Sequence, residues 1–132
     1  MSENTTRAGL ARIGQIAVNV RDLQRAVEFY RDRLGMRFLF QVPGMAFFDC
    51  GGVRLMLGLP EKPEFDHPAS IIYYAVDDIQ ETHRALAAAG VAFVEDPKIV
   101  HRAETHDLWL AFFRDSEENL LALMSEVRAR QG

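Results

Sequence analysis

Hydrophobic and polar residues follow the same series of patterns twice along this chain. Near positions 15 and 71 the residues alternate with the period of a half-buried strand, and each strand ends at an aspartate, Asp22 or Asp78. An apolar pattern with helical spacing follows each aspartate and runs to Gly35 or Gly90, as is typical of a helix C-terminus. The two aspartates are placed to cap these helices. The chain is therefore predicted to contain two copies of one unit.

Each copy continues as a series of strands that closes with an apolar hairpin. The repeat period of about 55–65 residues is longer than that of most solenoid repeats, which favours two βαβββ modules over a solenoid. The predicted later strands lie near 36–41, 45–50 and 53–58 in the first copy, and near 91–95, 106–114 and 119–125 in the second.

The pattern also divides the chain into segments within one compact domain. A stretch with three prolines separates the two modules and is interpreted as a linker. The predicted segments are a flexible N-terminal arm (1–12), the first module (13–58), the linker (59–70), the second module (71–125) and a tail (126–132).

Composition narrows the class of protein further. Of the 132 residues, 48% are hydrophobic and 26% are charged, which is typical of a soluble domain with a sizeable core. The net charge of -4 argues against a nucleic-acid partner. The lone Cys50 excludes an internal disulfide and fits a reducing compartment, and the polar start of the chain lacks the pattern of a signal peptide. We expect a cytoplasmic protein with no membrane partner.

Several motifs follow one another in a characteristic order along the chain, some in the first copy and some in the second. They are Gln15 to Leu23, Phe29-Tyr30, Leu34 to Met36, Gly51 to Leu57, Tyr73 to Ile79, Gly90-Val91 and Phe112 to Leu123. The chain resembles the vicinal oxygen chelate superfamily, which includes glyoxalases, bleomycin-resistance proteins and extradiol dioxygenases. The resemblance implies an α+β fold in which two paired βαβββ modules form an open, cup-like barrel of curled mixed sheets around a small-molecule site. It also implies a homodimer.

The resemblance places four metal ligands on the first and last strands of the two modules. In this chain those positions are Gln15, Met56, Ile71 and Ala122. Only the Gln15 amide offers an oxygen, whereas even catalytic zinc takes three protein ligands. We therefore expect no metal and no cofactor, which excludes metal chemistry of the glyoxalase I or dioxygenase kind.

Strand alternation from these four positions identifies the other side chains expected to face the cup. Arg54 and Tyr73 share a face with Met56 and Ile71. For the long strand, the resemblance implies that the residue three before Asp115 faces inward, and alternation extends this set to Phe112, Leu110, Leu108 and His106. The expected lining is mostly apolar, with a few polar groups, as in many small-ligand pockets. The sequence leaves open whether the cup closes within one chain or between two.

Two functions remain open at this level. The first is a binding protein, similar in form to bleomycin-resistance proteins, that holds a small anionic or amphipathic organic molecule in a metal-free apolar cup. Arg54 would anchor the anionic group, unless it lies at the rim in water or pairs with Asp49.

The second is a metal-independent lyase or isomerase. His106, expected to be buried beside Leu108 and Phe112, would act as the base while Arg54 holds an acidic group. Tyr73 would stabilise developing oxyanion charge. Both side chains could instead be packing residues, so whether the protein is an enzyme stays open.

Overall fold

The computed structural model describes residues 9–129, which form two helices and nine strands with short helical turns between them. The first half contains β1 (Gln15–Asn19), α1 (Leu23–Glu28), a π-helical turn (Phe29–Arg33), β2 (Arg37–Val42), β3 (Met45–Cys50) and β4 (Val53–Gly58). A 3-10 turn (Pro63–Phe65) precedes β5 (Ile72–Ala75), α2 (Ile79–Ala88), β6 (Ala92–Phe93), β7 (Lys98–Arg102), β8 (His106–Arg114) and β9 (Leu120–Arg128).

The strands form two mixed sheets. The first has the order β1-β4-β3-β2, and the second has the order β5-β9-β8-β6 with β7 also paired to β8. In each sheet the opening strand runs parallel to the closing strand, and the other pairs are antiparallel. The predicted α+β class with two curled mixed sheets is confirmed, and within residues 9–129 the sheets do not close into a barrel.

The internal repeat is preserved in the hydrogen-bond register. The amide of Val20 donates to the Gly58 carbonyl at 3.0 Å, and that of Val76 donates to the Met124 carbonyl at 2.9 Å. The aspartates at the two helix starts also act alike, since Asp22 and Asp78 each accept a backbone N–H three residues on, at 3.1 and 3.0 Å. Positions in the two modules can therefore be matched residue by residue.

The strand pattern differs from the prediction in two places. The prediction contained no strand corresponding to β7. In the structure, Pro97 separates two short strands, β6 and β7, which both pair with β8. Strand β9 continues to Arg128, into the predicted tail. Residues 1–8 of the predicted arm and 130–132 of the tail lie outside the described residues.

One core joins the modules through their helix-covered sides. It contains side chains of both helices and the helix-facing residues of both sheets, including Val18, Phe48, Leu57, Ile79 and Phe113. We call the opposite side of each sheet its open face. Since the modules meet through their helix sides, neither open face is covered by the other sheet. Between residues 9 and 129, no helix is long and apolar enough to cross a membrane.

Candidate functional site

The predicted site residues are divided between the two open faces. Three lie on the first open face: Gln15, Arg54 and Met56. Seven have the open-face parity of the second sheet: Ile71, Tyr73, His106, Leu108, Leu110, Phe112 and Ala122. The cavity on the first open face contains no residue of the second sheet. The structure therefore places each set on one face, but it does not join the two faces within one chain.

The four positions implied as metal ligands do not fit a metal ion. The Gln15 amide donates to Met56 Sδ, with 3.9 Å between Nε2 and Sδ. Ala122 is fully buried and Ile71 has no donor atom. Within the described part of the chain, no group of three or more His, Cys, Asp or Glu could hold a metal. The strands that carry these four positions are paired as expected, but the four side chains do not offer enough donor atoms to bind a metal ion.

Arg54 is one of two arginines in a cross-strand row of the first open face, the other being Arg37 of β2, and it has no anionic partner in the described chain. It lies directly opposite Asp49 on β3, yet among residues 9–129 no carboxylate is within 4.0 Å of its guanidinium. The guanidinium lies instead over the Phe47 ring, 5.8 Å from the centroid. Phe47 in turn stacks on Phe40 at 4.6 Å. The N–H donors of Arg54 are therefore available to an anion.

His106 does not have the apolar surroundings that the sequence predicted. It is exposed at the start of β8, opposite Arg128, with its Nδ1 3.0 Å from Thr105 Oγ1. Six residues of strand separate it from Phe112, which is a span of about 20 Å. The burial expected from Leu108 and Phe112 fails because they lie further along the strand.

Tyr73 lies at the opposite end of the second open face. Its ring packs edge-on against Phe112 with centroids 6.0 Å apart, and the residue is 45% exposed. Because Tyr73 pairs with Ala122, which in turn pairs with Phe112, it is also remote from His106. The predicted base and the predicted oxyanion donor are thus far apart within a chain.

A cavity of about 290 Å³ lies on the first open face. The linker forms one side of it and the strands form the other. Its lining residues are Ala17, Asn19, Met45, Met56, Gly58, Leu59, Pro60, Glu61, Phe65, His67 and Ala69. The Asn19 amide donates to the carbonyls of Phe65 and His67, the latter at 2.9 Å, and so holds the linker beside β1.

Sequence reasoning missed Asn19 although the signal was present. Alternation from Gln15 through Ala17 puts Asn19 on the same face. The linker residues carried no such signal, because a segment rich in prolines has no side-chain period that fixes which surface it covers.

The perturbed titratable groups lie mainly on the helix side of the sheets. Burial and the adjacent Asp115 carboxylate raise the pKa of Tyr30, whose hydroxyl donates to Asp115 at 2.7 Å. Burial also raises the pKa of Tyr74. Burial and Asp49 raise the pKa of the Cys50 thiol, which disfavours a thiolate nucleophile. These shifts follow from packing, so they do not identify an active site.

A family model matches residues 12–123, which is most of the chain and includes both modules. The chain belongs to the Glyoxalase/Bleomycin resistance protein/Dioxygenase superfamily. Membership agrees with the resemblance inferred from the motifs.

Several relatives share the whole arrangement. The uncharacterized protein YraH of Bacillus subtilis (strain 168) is 28% identical over 123 residues, which is 83% of this chain and 94% of YraH. A superfamily member from Sphaerobacter thermophilus DSM 20745 superposes with a TM-score of 0.72 at 23% identity, covering 89% of this chain and 98% of its own. A lactoylglutathione lyase from Agrobacterium tumefaciens superposes with a TM-score of 0.68 at 22% identity, covering 87% and 93%. At these identities the solved structures establish the fold alone.

Proposed function

We propose that this protein binds a small anionic or amphipathic organic molecule in an apolar cup without the help of a metal ion, and that it does so in the cytoplasm as a homodimer. The observation that carries the proposal is Arg54 on the first open face. Arg54 has no carboxylate within 4.0 Å in the described chain, and it lies on the same face as the apolar cavity, two residues before Met56 of the cavity lining. A charged donor next to apolar walls is the usual arrangement for holding an acidic organic ligand.

We propose that a second copy of the chain covers the open faces and so completes the cup. Exposed aromatic and aliphatic side chains lie on both open faces, with Phe40, Ile71 and Tyr73 exposed by 46%, 42% and 45%. Such patches mark interaction surfaces in soluble proteins. In the proposed dimer, the first open face of one protomer meets the second open face of its partner. The ligand would then lie between Arg54 and the aromatic pair of Tyr73 and Phe112.

Binding is favoured over the metal-independent lyase or isomerase. General-base catalysis requires the base to lie within hydrogen-bond reach of the reacting proton, and the oxyanion donor must be equally close. His106 and Tyr73 are too far apart on the second open face for both roles, and pairing with a second copy does not change the distance between them. Ligand binding needs only Arg54 and the apolar walls.

The proposal is tested with the amphipathic anion 1-anilinonaphthalene-8-sulfonate after exhaustive dialysis against a chelator. We expect saturable fluorescence enhancement by the folded dimer, unchanged when zinc or nickel is added. Arg54→Gln should weaken binding about tenfold or more, since hydrogen bonds to charged groups contribute about 1.5–3 kcal/mol. Arg84→Gln, which removes an exposed arginine of α2, is the matched control.

Two results would contradict the proposal. One is the absence of saturable binding, or binding that needs added metal. The other is a monomer in sedimentation velocity that stays monomeric at all concentrations. Tyr73→Lys places a charge on the second open face and should shift a dimer toward monomer, and Gln80→Lys on α2 provides the comparison.

A further inference from the structure

The two ends of the first open face have opposite chemical character. At one end the cross-strand row Gln15, Arg54 and Asp49 is polar. At the other end the corresponding row contains Gly58 and Met45, beside the cavity. Four residues of β4 separate Arg54 from Gly58, which corresponds to about 13 Å. A ligand of that length can contact both ends at once.

Linker residues 59–69, which we call the strap, cover the apolar end. The Leu59 amide donates to the Gly44 carbonyl at 3.0 Å where the strap begins. Further along, Asn19 donates to the carbonyls of Phe65 and His67. An ion pair between Arg21 and Asp66 at 3.1 Å lies beside this contact. The strap is therefore held down at both ends, with the cavity between it and the sheet.

The charges along this face favour one direction for an anionic ligand. The cavity lining contains the carboxylate of Glu61 and no lysine or arginine. An acidic group under the strap would be repelled by Glu61, with no arginine or lysine in the lining to offset it. At the other end the row contains one carboxylate, Asp49, but two arginines, Arg37 and Arg54, so an acidic group would be attracted there. The apolar lining, which includes Met45, Met56 and Leu59, suits a hydrocarbon part.

We propose that the ligand is an acidic amphiphile that lies along β4, with its carboxylate at Arg54 and an apolar tail under the strap. This inference rests on the proposed binding function and adds the ligand class and its direction. Asn19 is the positioning residue, because it holds the strap over the tail. The matched position in the second module is Ala75, which has no side chain able to make such a bond.

The test is displacement of bound 1-anilinonaphthalene-8-sulfonate by hexanoate, octanoate, decanoate and dodecanoate, with the matching n-alkanols as neutral competitors. Each added methylene buried under the strap should tighten binding about fourfold, until the tail exceeds the space available. Arg54→Gln should remove the preference for carboxylate over alkanol and leave the chain-length dependence. Asn19→Leu keeps the approximate size and loses the donor without adding a charge, and it should flatten the chain-length dependence while the carboxylate preference stays.

The controls and outcomes separate this inference from the function on which it rests. Gln80→Ala loses an exposed amide on α2 and should leave both dependences as in the wild type. Asn19→Ala is a second variant in case Asn19→Leu fails to fold. If the fluorophore does not bind at all, the proposed function is wrong. If the fluorophore binds but the carboxylates displace it without regard to their length, the proposed ligand class is wrong and the binding function stands. If both Asn19 variants keep the wild-type chain-length dependence, the proposed role of the strap is wrong and the binding function again stands.

Discussion

The two modules share one backbone plan and differ in the side chains at matched positions. On the first open face Gln15, Arg54 and Asn19 are polar, and the matched positions of the second module are Ile71, Leu120 and Ala75. The closing turns differ as well. The turn between β3 and β4 contains two glycines, whereas the turn between β8 and β9 is held by its own aspartate.

This difference indicates a division of roles within the repeat. The first module carries the groups able to recognise a polar ligand. The second supplies an apolar face and, through its closing turn, the contacts that hold the modules together. Asp115 accepts from Tyr30 of the first module, and Glu117 accepts the amides of Arg21 and Asp22 at 3.0 Å each. Under the proposed function, identical strand registers serve recognition in one half and assembly in the other.

The largest expected effect comes from removing the junction itself. Asp115→Ala should lower the free energy of unfolding by about 3 kcal/mol or more, because the buried Tyr30 hydroxyl and the amides of Glu117 and Asn119 all lose their acceptor. Urea denaturation measures the change. Asp32→Ala, an exposed aspartate paired with Arg31, should cost far less. Equal losses in the two variants would show that the turn does not hold the modules together.

The next effect is a pH dependence on the alkaline side. The pKa of Tyr30 is raised above its usual 10.0, so the folded protein holds this proton more tightly than the unfolded chain does. The stability from this group is complete below about pH 10 and is lost as the pH rises toward the folded-state pKa. Each buried tyrosine should contribute a slope of up to about 1.4 kcal/mol per pH unit.

Tyr30→Phe should reduce the alkaline slope of the free energy of unfolding against pH, because the titrating hydroxyl is gone. Tyr74→Phe should reduce the slope by a comparable amount. The two variants should differ near pH 7. Tyr30→Phe loses a hydrogen bond to a carboxylate, whereas the buried Tyr74 hydroxyl has no partner among residues 9–129, so its loss should be neutral or stabilising. Denaturation curves from pH 7 to about pH 11 measure both effects. An unchanged alkaline slope in the double variant would contradict the assignment.

The smallest effect compares the two closing turns. Glu118 has a left-handed φ of 70°, and Gly51 has a φ of 60° with open space where a Cβ would lie. Glu118→Gly should raise the free energy of unfolding by about 1 kcal/mol, and Gly51→Ala should lower it by a similar amount. Opposite signs in thermal denaturation are expected. A loss of stability in Glu118→Gly would mean that its side chain stabilises the turn.

Local patterns predicted the parts of the site that depend on a single strand. The family resemblance gave Gln15 and Met56 as inward positions, and alternation along the strand then added Arg54 to the same face, as the pairing of Gln15 with Arg54 shows. Alternation could not show that His106 lies in solvent, although the distance of His106 from Phe112 already follows from the six residues of strand between them. Alternation along a strand shows on which side of the sheet a side chain lies, but whether that side chain is buried depends on which other parts of the protein cover that side.

The role of the linker could not be predicted from the sequence either. Its prolines indicated a loop between modules, but a loop is positioned by whatever bonds it finds on the folded surface. Here those bonds come from Asn19, whose partners lie 46 and 48 residues away in the chain. That contact holds Phe65 and His67, which form part of one side of the cavity, beside β1.

The sequence by itself determined the repeat, the class of most elements, the superfamily and the residues at the four implied ligand positions, since all of these follow from local periodicity and residue chemistry. Tertiary structure alone decided that the modules join through their helix sides and leave two open faces. That choice depends on contacts between distant residues, such as Tyr30 and Asp115, 85 positions apart. Periodic patterns carry no information about such pairings, because they show which residues share a face but not which faces meet.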